Sequence, residues 1–117
     1  FNPNIIVIMN EAFSDISVFN ETLDNDVYMS YYNSLQEDTI KGTVVSSALG
    51  GKTANVEYEF LTGNSCAFVP QGSIPYQFYT KPEDNSLAKI FGESGYTTIA
   101  MHPYPGYNCA ISTRNIS

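Results

Sequence analysis

Residues 5–9 form an unbroken run of five apolar, mostly β-branched side chains, Ile-Ile-Val-Ile-Met. Such a run is typical of a strand buried on both faces, as in a parallel sheet covered by helices. Residues 39–48 and 96–101 are also rich in β-forming side chains and predict two further strands. The first constraint on the fold is therefore a buried sheet with at least three strands.

The segments between these strands carry helical signals. Apolar and aromatic spacing predicts a helix over residues 27–36. Capping residues and glycine stops predict helices over 53–61, with Thr53 as N-cap, and over 85–95. Residues 64–85 contain three prolines and predict a long irregular connection. The alternation of strands and helices predicts an α/β fold with a mostly parallel sheet flanked by helices.

The charge of the chain excludes several kinds of partner. Five Lys and Arg against twelve Asp and Glu give a net charge of −7. Binding to nucleic acid, or to an anionic membrane through a basic patch, needs the opposite sign. Seven of the acids lie in residues 1–38, where there is no Lys or Arg. We interpret most of them as solvated loop acids and single out Glu11 as the one that could face a cation.

The two cysteines, Cys66 and Cys109, match no zinc-binding spacing and form no disulfide framework. A bridge between them is possible outside the cytosol. Two separate free thiols are the favoured interpretation.

Three polar residues follow predicted strands, where α/β sheets place their chemistry: Glu11, Thr53 and His102. A carboxylate suits Mg²⁺ or Mn²⁺, and a threonine hydroxyl needs a metal or a base to become a nucleophile. Taken singly, each has a simpler interpretation that spacing alone favours: a solvent-facing acid, a helix N-cap and a packed imidazole. The Gly-Lys-Thr string at 51–53 is not a P-loop, because Ser46 stands where that motif needs glycine.

Three sequence blocks, taken together and in this order, favour a functional interpretation of the three residues. The blocks are residues 3–13, residues 51–60, and residues 101–104 with 86–91 before them. Together they resemble the sulfatase-like, lipoteichoic-acid-synthase family of phosphoglycerol transferases. The resemblance implies an alkaline-phosphatase-like α/β fold on the extracellular face of the bacterial cell membrane, in a protein anchored by N-terminal membrane helices. It also implies a divalent cofactor, Mn²⁺ or Mg²⁺.

The same resemblance assigns roles to the three residues. Glu11 matches a metal ligand, Thr53 matches the residue that is both metal ligand and nucleophile, and His102 matches a substrate-binding histidine. The implied reaction moves glycerol phosphate from a phosphatidylglycerol-type lipid, through a phospho-threonine, to a polyol or glycan acceptor. No role is transferred to Arg114, because the Trp and Arg that the family tends to place soon after the histidine block are not matched here.

The family's remaining metal ligands, an Asp-His pair, are not found in this chain, which has one histidine. We therefore expect residues 1–117 to be the N-terminal part of a catalytic domain, inactive and weakly metal-binding alone, and prone to self-associate. Two alternatives stay open: a phosphoester or sulfoester hydrolase on the same fold, and a non-catalytic cell-surface interaction domain. Sulfate ester hydrolysis is disfavoured, because Ala-Asn-Val follows Thr53 in place of Pro-x-Arg.

Overall fold

The computed structural model describes residues 3–50 and 52–102. The chain divides into two compact units, Phe1–Val44 and Val45–Ser117, which are described separately below. Among the described residues, single 3₁₀ turns lie at Ile16–Val18 and Cys66–Phe68. The α-helices are α1 (Asn25–Tyr28), α2 (Ser30–Ser34), α3 (Thr53–Thr62), α4 (Pro75–Phe78) and α5 (Leu87–Glu93). Within the described residues, no helix is long and apolar enough to cross a membrane.

The predicted parallel sheet is not shown by the structure, since no residue in the described ranges belongs to a strand. Residues 5–9, 39–48 and 96–101 carry no strand pairing there. The prediction that the first of these segments is buried on both faces is wrong for the described structure, because Ile6 and Ile8 are 84% and 85% exposed. The physical reason is that a strand is defined by its hydrogen-bonded neighbour, and an apolar run does not supply one.

The first unit is built from turns and two short helices. The helix predicted over residues 27–36 is divided at Met29, whose backbone (φ −111°, ψ 18°) ends α1 and precedes α2. The Asp24 side chain caps α1 by accepting from the Asp26 N–H at 3.0 Å. Met29 is buried, and the rings of Phe13 and Tyr32 lie 5.8 Å apart.

The second unit is organised around α3, which contacts both α4 and α5. The predicted helix at 53–61 is confirmed, and it ends at Gly63, which adopts the left-handed conformation (φ +70°) that favours glycine. Thr53 is the first helical residue, and Lys52 is the N-cap. The prediction of Thr53 as N-cap is therefore wrong by one position.

The core of the second unit lies along one side of α3. Ala54 and Tyr58 of α3 are buried, as are Cys66 and Pro75 from the connection that follows. The Tyr58 ring meets the Tyr76 ring edge to face at 5.7 Å. Residues 64–85 are largely irregular, as predicted, but they contain the Cys66–Phe68 turn and α4, which begins with a proline.

The helix predicted at 85–95 is confirmed as α5. The Ser86 hydroxyl caps it by accepting from the Lys89 N–H at 3.2 Å. Gly95 follows the helix with φ +89°, a value that suits glycine.

Candidate functional site

Thr53 lies on the surface as the first residue of α3, a helix of ten residues. The N-cap side chain makes no capping hydrogen bond, and the first turn of the helix contains no acidic residue. The N-terminus of a helix carries partial positive charge, which stabilises an anion near it. A hydroxyl at this position is accessible and lies in an environment suited to a phosphate.

The start of α3 is tied to the loop at residues 70–73. The Lys52 ammonium group donates to the Gly72 carbonyl, and the Asn55 side-chain amide donates to the Ser73 carbonyl at 2.9 Å. Gly72 has φ +87°, so a side chain there would strain the backbone. These two contacts fix the residues on either side of Thr53 against one loop.

A pocket of about 220 Å³ lies between residues 47–49 and residues 66–73, with Asn55 of α3 in its wall. Asn55 lines it, is only 5% exposed, and its side-chain oxygen accepts no hydrogen bond within the part of the chain that the structure describes. The pocket wall contains no charged side chain. Its residues are Ser47, Ala48, Leu49, Asn55, Cys66, Ala67, Val69, Pro70, Gln71, Gly72 and Ser73.

Glu59, in the middle of α3, accepts hydrogen bonds on both carboxylate oxygens. Oε2 accepts from the Ser46 hydroxyl at 2.6 Å and from the Ser47 N–H at 3.2 Å. Oε1 accepts from the Cys66 N–H at 2.7 Å and from the Ser47 hydroxyl. Burial alone would raise the pKa of Glu59, but these donors outweigh it and lower the pKa from 4.5 to about 2.

The environment of Glu59 also affects its neighbour Cys66. Burial, followed by the negative charge of Glu59, raises the pKa of the Cys66 thiol. Cys66 is a buried free cysteine in the structure, and its Sγ lies 3.7 Å from the Asn55 carbonyl oxygen. Cys109 lies outside the described residues, so the preference for two free thiols stays a prediction.

Glu59 is not among the site residues predicted from the sequence, although the sequence carries a signal for it. Glu59 follows Asn55 by four positions, which places it on the same side of α3 as the buried Asn55. An acidic side chain on the core-facing side of a helix needs hydrogen-bond donors around it. Serines and backbone N–H groups supply them here.

Asp15, in the first unit, is an exception among the seven acids of residues 1–38, because the other six are exposed, as expected for most of them. Its carboxylate accepts from the Ser17 hydroxyl at 2.6 Å, from the Tyr28 hydroxyl at 2.7 Å and from the Asn25 side chain. The hydrogen bonds from Ser17 and then Tyr28 lower the pKa of Asp15 below its ordinary value. Asp15 therefore joins the Ile16–Val18 turn to α1.

Glu11 and His102, the site residues predicted from the sequence besides Thr53, are exposed. Glu11 lies in a turn of the first unit, closed by the Phe13 N–H donating to the Asn10 carbonyl at 2.9 Å. His102 is the last residue that the structure describes, and Arg114 lies outside the described residues. Because Glu11 and Thr53 belong to different units, their sharing of one metal ion stays a prediction, as does the substrate-binding role of His102.

A divalent metal fits the predicted residues in chemistry but not in number. The Glu11 carboxylate and the Thr53 hydroxyl are hard oxygen donors of the kind that Mg²⁺ and Mn²⁺ prefer. Mg²⁺ takes about six ligands in an octahedron, so with two protein donors the rest of its shell has to come from further groups, waters or substrate phosphates. Across residues 3–50 and 52–102, no three His, Cys, Asp or Glu side chains form a group that could hold a metal ion. The described residues therefore do not make a complete metal site.

Comparison with known proteins gives the family. The family model described as Sulfatase matches residues 3–113, nearly the whole sequence. The chain belongs to the sulfatase family. This confirms the family resemblance, implies an alkaline-phosphatase-like fold, and indicates an enzyme of a family that generally uses a divalent metal.

One curated protein is similar to this chain in sequence. The chain is 43% identical over 105 residues to the "Putative cyclic beta-1,2-glucan modification protein" of Rhizobium meliloti (strain 1021). The match covers 90% of this chain and 16% of the relative, so the chain spans about a sixth of that protein's length. No solved structure matches the chain significantly.

Proposed function

We propose that this chain belongs to an enzyme that transfers glycerol phosphate from a phosphatidylglycerol-type lipid to a cell-surface polymer or glycan, with Thr53 as nucleophile. The observation that carries the proposal is the position of Thr53, exposed at the first residue of α3 within the segment that matches the sulfatase family. The relative's name refers to glucan modification, which supports a glycan as the acceptor.

The proposed reaction takes two displacements at phosphorus. In the first, Thr53 Oγ1 loses its proton and attacks the phosphodiester, and the bond from phosphorus to the diacylglycerol oxygen breaks. That oxygen takes up a proton and diacylglycerol leaves. In the second, an acceptor hydroxyl loses its proton and attacks the phospho-threonine, and Thr53 Oγ1 regains a proton as it departs. A covalent intermediate divides one difficult displacement into two easier ones.

The residues around Thr53 contribute binding and orientation to this reaction. The start of α3 stabilises the phosphate's negative charge, and the Lys52 and Asn55 contacts hold that start in place. We assign Glu11 and Thr53 to a divalent ion, Mn²⁺ or Mg²⁺, and His102 to the glycerol phosphate. When bound, such an ion lowers the pKa of a hydroxyl and neutralises phosphate oxygens. The described residues alone do not complete its ligand set.

The location and assembly of the protein form part of the same proposal. A lipid donor and a cell-surface acceptor place the reaction at the extracellular face of a bacterial cell membrane. Exposed apolar segments such as residues 5–9 are prone to self-association in the isolated 117-residue chain.

The test is Thr53→Ala in the full-length protein, assayed with phosphatidylglycerol vesicles and a glucan acceptor. We expect transfer to fall by at least about 10³-fold, as when a catalytic nucleophile is removed. Mass spectrometry of the wild type should find a glycerophosphate adduct on the Thr53 peptide, and the variant should show none. Thr62→Ala is the matched control, because Thr62 lies at the other end of α3. Unchanged transfer by Thr53→Ala would exclude Thr53 as the nucleophile.

The family match also supports a second candidate, a hydrolase in which water replaces the acceptor hydroxyl, because the matched family is described as Sulfatase. The same assay separates the two candidates. A hydrolase releases free glycerol phosphate at the same rate with and without glucan, whereas a transferase needs the glucan for turnover.

A further inference from the structure

We propose that Glu59 is a positioning residue, which holds the segment before Thr53 and the Cys66–Phe68 turn against α3 so that the Thr53 hydroxyl is presented in one fixed orientation. The inference rests on the proposed role of Thr53. It adds to that role a residue that does not touch the substrate.

The Glu59 carboxylate joins three parts of the second unit. From α3 it accepts hydrogen bonds from Ser46 and Ser47 on one oxygen, and from Cys66 and Ser47 on the other. The Ser47 hydroxyl continues the network by accepting from the Ala67 N–H at 3.0 Å and lying 2.7 Å from the Ser65 hydroxyl. We name this set of contacts among residues 46–47, 59 and 65–67 the Glu59 network.

Along the chain, Thr53 lies between the hydrogen-bonded residues Ser47 and Glu59 of the Glu59 network. The hydrogen bond from the Ser47 N–H to Glu59 spans twelve positions, and Thr53 is the middle one. Closing a short loop in this way restricts the position of Thr53 relative to Ser47. Lys52 and Asn55, which lie before and after Thr53 within this span, donate to the carbonyls of Gly72 and Ser73. The backbone that carries Thr53 is therefore held on both sides.

A carboxylate is needed for this arrangement because both of its oxygens accept from backbone N–H groups, one from Ser47 and one from Cys66. A hydroxyl can rotate to serve as donor or acceptor, but a backbone N–H can only donate. In Glu59→Gln one of these two N–H groups must face the side-chain NH₂ group. The substitution preserves the size of the side chain and removes one half of the network.

The experiment compares wild type with Glu59→Gln in the full-length protein, by hydrogen exchange with mass spectrometry and by transfer kinetics. We expect exchange in residues 46–50 and 65–68 to rise at least about tenfold, because backbone hydrogen bonds open there. We expect kcat for transfer to fall about 10²-fold, the cost of a misplaced reacting group, with KM little changed. The Thr53 adduct should form correspondingly more slowly.

Glu57→Gln is the matched control. It also removes a carboxylate from α3, but Glu57 accepts from the Tyr76 hydroxyl at 3.3 Å, a contact that a glutamine oxygen can keep. This variant should retain wild-type exchange and kcat. If Glu59→Gln unfolds, Ser47→Ala supplies the test, because it removes one hydroxyl of the network and leaves the carboxylate in place. It should then show a smaller change in the same direction.

Two results would overturn the inference: wild-type exchange in Glu59→Gln, or raised exchange with a wild-type kcat. The second result would reduce Glu59 to a structural role. A wild-type protein that transfers no glycerol phosphate overturns the proposed function instead, and the exchange data still decide whether Glu59 orders the loop.

Discussion

The two units of the chain each place one carboxylate at the centre of several hydrogen bonds, but they surround it differently. Asp15 joins an exposed turn to a four-residue helix, and Met29 is the buried hydrophobic residue among those the structure describes in that unit. Glu59 lies on a ten-residue helix whose Ala54 and Tyr58 are buried. Polar networks can order turns in either setting. Burial of apolar side chains contributes most of the stability, so we expect the second unit to be the more stable one.

The strongest test of the expected difference in stability removes the aromatic ring at the centre of the second unit. Tyr58→Ala deletes a ring that is 8% exposed and packs against Tyr76. We expect a loss of about 3 kcal/mol in the free energy of unfolding, measured by urea denaturation of the 117-residue chain. Phe68→Ala, at a ring that is 90% exposed, should change it by less than about 0.5 kcal/mol. Equal effects of the two variants would show that α3 has no core.

The corresponding test in the first unit is Met29→Ala. Because Met29 is buried between α1 and α2, its truncation should cost about 2 kcal/mol, the low end for a buried methionine. The measurement is hydrogen exchange at the backbone N–H of Asn33, which donates to the Met29 carbonyl at 2.8 Å. Val27→Ala, at an exposed position of α1, serves as the control. No change at Asn33 in Met29→Ala would mean that turns alone hold this unit.

The sequence predicted the parts of the structure whose determinants are local. The glycine at 63 and the serine at 86 mark the end of α3 and the start of α5 because capping depends on neighbouring residues. A sheet depends on strand partners that are often distant in sequence, so the apolar run at 5–9 indicated a strand without supplying its neighbour.

The candidate site divides in the same way. The residues around Thr53 and the histidine block carry recognisable motifs, and the family they indicated is confirmed. Glu59 and Asp15 were not singled out because some of their donors lie twelve and thirteen positions away. Whether Glu11 and Thr53 meet depends on the arrangement of two separate units, which no local pattern encodes.

The smallest expected effect concerns pH and compares the two carboxylates directly. The folded-state pKa of Glu59 is lowered from 4.5 to about 2, so its hydrogen bonds stabilise the fold fully above pH 4.5 and that stabilisation is lost as pH falls toward 2. The difference in unfolding free energy between wild type and Glu59→Gln should therefore shrink across this window in urea titrations. The pKa of Asp15 is lowered from 3.8, so the difference between wild type and Asp15→Asn should begin to shrink only below that pH. A difference for Glu59→Gln that stays constant from pH 4.5 to 2 would contradict the lowered pKa, and with it the view that charge on Glu59 holds the network together.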